Sequence, residues 1–301
     1  MGFNYWALVA SDWALKNFDI KNICCFGRQV IHIHDFDKGG KELQEQDLTK
    51  YISGLDPSEL PYADTKYFPD RGVAADSVDY SSYEGASIIA DLSVPHEYNQ
   101  QLKELAGRYD AVFDIGTTEH VGNTFASIQN AMMLLKPGGL YFYDLPYTNW
   151  MDHGLIQFCP SYFAELCRTN EYSLLFQFIH PTCREGDLIF LRDNVTYCTP
   201  TIMSIFGCIQ KGGSLEKVVK PPVQTFCSER DQLVLNEIAE KDGDNLPILN
   251  ALRPSEFLEY MFSSRLFPLY WRSYSSLVMV GHKNIFSPTC RYRSYKQVTF
   301  F

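Results

Sequence analysis

The segment from residue 109 to residue 144 constrains the fold of this chain more than any other. It holds an apolar run at 111–113. A second stretch, 124–135, places Phe125, Ile128, Met132 and Leu135 at the i, i+3, i+7, i+10 spacing of an amphipathic helix. Lys136-Pro137-Gly138-Gly139 follows, and it ends the helix because proline cannot continue one and glycine accepts a left-handed cap. The apolar run 140–145 comes next. Strand, helix, glycine turn and strand make the βαβ unit of a parallel sheet, which predicts an α/β fold.

The neighbouring segments extend that rhythm. Ile23-Cys24-Cys25-Phe26, closed by Gly27, is short and wholly apolar, as a strand buried on both faces should be. Strands are expected at 75–80 and 87–90, and a helix at 160–167 with Pro160 in its first turn. The runs 173–179 and 201–209 flank a charged connection, 184–194, and predict a hairpin closing one sheet edge; 277–280 competes for the last strand position. Residues 39–51 have helical composition, and Pro57, Pro61 and Pro69 mark an irregular connection. Trp6, Trp13 and Phe18 suggest a helical arm over 1–20. Lys211-Gly212-Gly213 and Pro221-Pro222 suggest that a domain over 21–213 gives way to a partly helical C-terminal appendage, 214–301.

Composition narrows the function classes. A formal net charge of -10 argues against nucleic-acid partners, which are held largely by Lys and Arg on phosphates. The nine cysteines form no C-x-x-C pair and read as reduced core thiols. No run approaches the roughly 18 apolar residues of a membrane span, and the start lacks a secretion signal, so no membrane partner and a cytoplasmic location are expected.

Open parallel sheets bind ligands at the carboxyl ends of their strands, where the strand order reverses. Gly27, Arg28 and Gln29 follow the first expected strand, Asp79 the second, Asp91 the third, 114–120 the fourth and 146–153 the fifth. At these ends the chain resembles a known family. Tyr109-Asp110-Ala111-Val112-Phe113-Asp114, Glu119-His120-Val121 and Leu134-Leu135-Lys136-Pro137-Gly138-Gly139 are similar, in wording and spacing, to the fourth and fifth strand region of class I S-adenosylmethionine-dependent methyltransferases acting on small molecules. The resemblance implies a doubly wound, mostly parallel seven-stranded sheet, the Rossmann-like methyltransferase fold, with S-adenosylmethionine as cofactor.

It also implies site residues. Asp79 matches the acid that holds the ribose hydroxyls, a task suited to a carboxylate that accepts two hydrogen bonds. Asp91 matches the acid beside the adenine, where Tyr80 or Leu92 would cover a ring face. Asp114, Glu119 and His120 fall in the cofactor segment, His120 bracing its loop. The first loop departs from the family, having Gly27 alone where two or three glycines are usual. Arg28 would either pair with the cofactor carboxylate or narrow the pocket.

Methyl transfer from a sulfonium needs a positioned acceptor and a base to take its proton, and His153, just past the fifth strand, is the candidate. The acceptor would be a small polar metabolite or sugar-like group. The alternative is a non-catalytic binding or scaffold protein on the same fold. The N-terminal arm and last third would shape the acceptor pocket or a homodimer contact. No metal is expected, since His32-x-His34-Asp35 lacks a further ligand at recognisable spacing. The chain also lacks the Gly-x-Ser-x-Gly of a hydrolase, the Gly-x-Gly-x-x-Gly of a nicotinamide enzyme, and the Asp/Asn-Pro-Pro-aromatic segment of nucleic-acid amino methyltransferases.

Overall fold

The computed structural model describes residues 2–31, 61–181, 188–191, 202–213, 218–223 and 277–280. Among these residues nine strands form one sheet: β1 (Asn22–Phe26), β2 (Ala74–Asp79), β3 (Ile88–Ile89), β4 (Tyr109–Ile115), β5 (Leu135–Thr148), β6 (Ser173–Pro181), β7 (Leu188–Leu191), β8 (Met203–Gln210) and β9 (Leu277–Val280). Their order is β3-β2-β1-β4-β5-β8-β6-β7-β9. The five strands from β3 to β5 run parallel, and β8 then enters antiparallel between β5 and β6. The helices are α1 (Tyr5–Asn17), the single turn α2 (Gln100–Lys103), α3 (Thr124–Leu134) and α4 (Pro160–Asn170).

The two-residue period of the strands sorts their side chains between two cores. Ile23, Cys25, Phe113, Phe142, Phe206 and Cys208 face one side, where α1 buries Trp6, Val9 and Trp13 against them. Cys24, Phe26, Val112, Tyr141, Tyr143 and Ile205 face the other side, under Ile128 and Met132 of α3 and Phe163 and Leu166 of α4. Residues 5–17 therefore form a layer of the sandwich. Full burial of side chains this large is worth roughly 1.5–3 kcal/mol each. One close contact crosses from β5 to β8. Gly207 pairs with Tyr143, and a Cβ at Gly207 would fall inside the Tyr143 ring and hydroxyl.

The expected seven strands are present as β3-β2-β1-β4-β5-β8-β6, and β7 and β9 extend the β6 edge. β7 lies within the stretch expected to be a charged connection, and β9 pairs with it in parallel, so 277–280 joins the sheet without displacing β8. The helix over 124–135 ends one residue early. Leu135 is already extended at φ -74°, ψ 140°, and Lys136 precedes a proline, which disfavours the helical conformation. Lys136 to Gly139 forms a bulge, since Tyr109 pairs with Leu135 and Ala111 with Leu140. The expected helix over 39–51 lies outside the described residues, as does nearly all of 214–301 apart from 218–223 and β9. Among the described residues no helix is long and apolar enough to cross a membrane.

Candidate active site

The chain runs outward from β1 through β2 to β3, then returns to β4 and β5 on the other side of β1. The strand order reverses between β1 and β4, and a crevice must open where their following loops part. A cavity of about 520 Å³ lies there, lined by Gly27, Arg28 and Gln29 after β1, Asp79 at the end of β2 and Tyr80 just past it, Asp91 and Leu92 after β3, and Thr117, His120 and Gly122 after β4.

Each loop is held by identifiable contacts. Gly27 turns at φ +69°, in the left-handed region, and its N–H donates to the Val78 carbonyl at 2.7 Å. A Cβ on Gly27 would stand 2.9 Å from Thr117 Oγ1, whose hydroxyl donates to the Phe26 carbonyl at 2.6 Å. The β1 and β4 loops are thus locked together at the reversal. The Gln29 side-chain amide donates to the Phe26 carbonyl at 2.5 Å, while its buried Oε1 has no hydrogen-bond partner. Asp79 and Asp91 each use one oxygen to accept the backbone N–H two residues on, Ser81 at 3.0 Å and Ser93 at 2.8 Å.

Arg28 lines the cavity, but its guanidinium is engaged elsewhere. It donates to the Glu84 carbonyl at 2.5 Å, to the Gly85 carbonyl at 3.2 Å and to Thr65 Oγ1 at 3.3 Å. It also lies 3.9 Å from the centre of the Tyr62 ring. These contacts brace the 62–65 and 84–85 segments against each other, so a cofactor carboxylate would have to compete with them. Asp114 stands behind the cavity wall, fully buried. It accepts from the N–H groups of Thr117 and Thr118 at 3.3 and 3.1 Å and from the Tyr141 hydroxyl at 2.8 Å, an arrangement that shapes the β4 turn.

Glu119 also lies outside the lining. It is fully buried, and neither carboxylate oxygen has a hydrogen-bond partner. Burial, with the Asp114 charge adding, pushes its carboxyl up to about 8. His120 reaches from the cavity towards it, with Nε2 at 3.8 Å from Glu119 Oε1. His153 arrives from the loop after β5, its ring centre 5.2 Å from that of His120. That loop is shaped to meet Glu119. Asn149 and Asp152 take positive φ, conformations that short polar side chains tolerate. Gly154 follows at φ +79°, where a Cβ would lie 2.8 Å from Glu119 Cγ, and the Leu155 N–H donates to the Glu119 carbonyl at 2.7 Å. Burial lowers the pKa of both histidines, with His153 adding to the effect on His120.

The cavity therefore gathers Gly27, Arg28, Asp79, Asp91 and His120, while Glu119 and His153 form a second group that meets it through His120. Sequence reasoning passed over Asp144 and His180. His180 Nε2 lies 3.0 and 3.2 Å from the two carboxylate oxygens of fully buried Asp144, and Asn4, which caps α1, donates its amide to the same carboxylate at 2.5 Å. The only sequence signal for this network is polar residues at positions that the strand pattern makes interior.

No protein-family model and no curated protein matches the chain. Among solved structures, it is similar to the 1,6-didemethyltoxoflavin-N1-methyltransferase of Burkholderia thailandensis with bound 1,6-didemethyltoxoflavin and S-adenosylhomocysteine, at 12% identity and a TM-score of 0.38, covering 68% of this chain and 77% of that one. It is likewise similar to the [4+2]-cyclase SpnF, at 11% identity, 68% and 81% coverage and a TM-score of 0.38. A SAM-dependent methyltransferase of Methanosarcina mazei matches at 10% identity, 64% and 93% coverage and a TM-score of 0.34. Likenesses this distant carry nothing about activity. The architecture rests on the strand order itself: a doubly wound, mostly parallel sheet with its crevice between β1 and β4.

Proposed function

We propose that the chain is an S-adenosylmethionine-dependent methyltransferase acting on a small polar acceptor. The observation that carries this reading is the cavity at the strand-order reversal. It collects Gly27, Asp79 and Asp91, the positions where the resemblance places the cofactor's close backbone approach, its ribose and its adenine. Asp79 keeps one carboxylate oxygen for a ribose hydroxyl after its turn bond to Ser81. His153, beside His120 at the rim, is the group to take the acceptor's proton.

Arg28 and Gln29 favour a second reading, a binding or scaffold protein on the same fold. They stand where the family has further glycines, and the Arg28 side chain is spent on the protein itself. Heat unfolding with and without S-adenosylhomocysteine separates the two. Ligand at about 100 times its dissociation constant stabilises a binding protein by roughly 2.7 kcal/mol, a rise of a few degrees. An unchanged unfolding temperature at millimolar ligand supports the scaffold reading.

A further inference from the structure

Glu119, His120 and His153 present one ligand atom each, all within 4.8 Å of one another, the one such group of three His, Cys, Asp or Glu residues among the described residues. We propose that these three side chains bind a divalent first-row metal ion of the zinc type. Two imidazoles and one carboxylate are a zinc donor set that leaves a coordination position open. The unmet needs of the side chains point the same way. A buried carboxylate without a hydrogen bond is costly, and here both Glu119 oxygens lack one. The buried Nε2 of His153 also lacks a partner. A cation meets both needs at once.

The backbone supports the arrangement. The Leu155 N–H holds the Glu119 carbonyl at 2.7 Å, and Gly154 lets the 149–155 loop lie directly on the Glu119 side chain. His153 is further packed against Trp150 at 4.6 Å between ring centres, and Trp150 Nε1 donates to the Met203 carbonyl at 2.9 Å. Ligand atoms about 2.0–2.1 Å from a tetrahedral ion stand roughly 3.3 Å apart. Separations of up to 4.8 Å must therefore shrink by up to roughly 1.5 Å, a change that rotation of the half-exposed His120 ring contributes to.

Resting on the methyltransferase reading, the site acquires a role, because His120 belongs both to it and to the cavity wall. With the ion bound, His153 would serve as its ligand and no longer as the base; the ion would hold an acceptor hydroxyl at its open position and ease loss of the proton to water. The new oxygen–carbon bond then forms as the sulfonium sulfur–carbon bond breaks, leaving a neutral thioether.

The test uses the full chain, freed of any histidine tag, stripped with chelator and titrated with Co2+ and then with Zn2+. Ligand-field absorption saturating at one equivalent of Co2+, bleached by Zn2+ and weakened at least ~10-fold in both Glu119→Gln and His153→Ala, is the expected result. Absence of saturable binding overturns the proposal. So does equal binding by both variants, which would place the ion elsewhere, for example on His32 and His34. Glu119→Gln keeps the shape of the side chain, and circular dichroism confirms that each variant is folded. S-adenosylhomocysteine binding is measured on the same samples. Cofactor binding without metal binding defeats this proposal alone, and metal binding without cofactor binding upholds it while defeating the methyltransferase reading.

Discussion

Arg28 Nε lies 3.3 Å from Asp64 Oδ2, with 10% of the arginine side chain and 5% of the aspartate exposed. Asp64 also accepts from the Ser77 hydroxyl at 2.8 Å, so the pair ties the loop after β1 to β2. Removing one partner of a buried pair leaves the other charge stranded and costs about 3 kcal/mol or more. Arg28→Ala is therefore expected to lower the urea midpoint strongly. Arg28→Lys keeps the charge but loses the forked donors, so it should fall between wild type and alanine while retaining S-adenosylhomocysteine affinity. Loss of affinity in a folded Arg28→Lys protein would return the guanidinium to the cofactor carboxylate.

Asp79 behaves in the opposite way. It is partly exposed, and its carboxylate accepts the turn bond from the Ser81 N–H. Asp79→Ala should change stability by less than about 1 kcal/mol. Hydrogen bonds to a charged group contribute roughly 1.5–3 kcal/mol each, so ligand affinity should drop at least ~10-fold. Calorimetric titration of folded Asp79→Ala measures this, and unchanged affinity removes the residue from the site.

Glu119 ties stability to pH in the metal-free chain. Its carboxyl rises from an ordinary 4.5 to about 8 on folding, so the native state binds the extra proton between those values. The stability this contributes is complete below about pH 4.5 and is lost as pH rises through about 8, on the order of a few kcal/mol in all. Glu119→Gln cannot titrate. The difference between the wild-type and Gln unfolding profiles should therefore change by that amount between about pH 5 and 8, and a constant difference contradicts the assignment.

Gly207→Ala should destabilise the fold by about 1–3 kcal/mol through overpacking against Tyr143. Because the two residues share one contact, Tyr143→Ala should largely suppress the effect in a double-mutant cycle. Full additivity in urea melts would show that the ring is not what excludes a side chain at 207.

His153→Ala is expected to slow methyl transfer while leaving S-adenosylhomocysteine binding intact, because His153 lies outside the cavity lining. Full turnover in this variant would reduce His153 to a loop residue.

The parts legible in the sequence are those governed by local periodicity. The strands and the helix between 109 and 145, and the glycine that closes β1, follow from spacing and from the limits of proline and glycine. Asp79 and Asp91 were legible because a strand end fixes where the next residue stands. The Asp144–His180 contact was not, because β8 enters between β5 and β6 and no local pattern announces that order. Nor was the meeting of Glu119 with His153, which depends on the left-handed turns at Asn149, Asp152 and Gly154. Arg28 was visible as a departure from the family loop, but its partners Tyr62, Asp64 and Glu84 lie in segments with no recognisable motif.

Calorimetric titration of the full wild-type chain with S-adenosylhomocysteine tests the central claim most directly. Saturable binding at one ligand per chain, abolished by S-adenosylmethionine already in the cell and weakened in Asp79→Ala, is the predicted result. Absence of binding heat at several temperatures, with millimolar ligand and a folded protein, would contradict it.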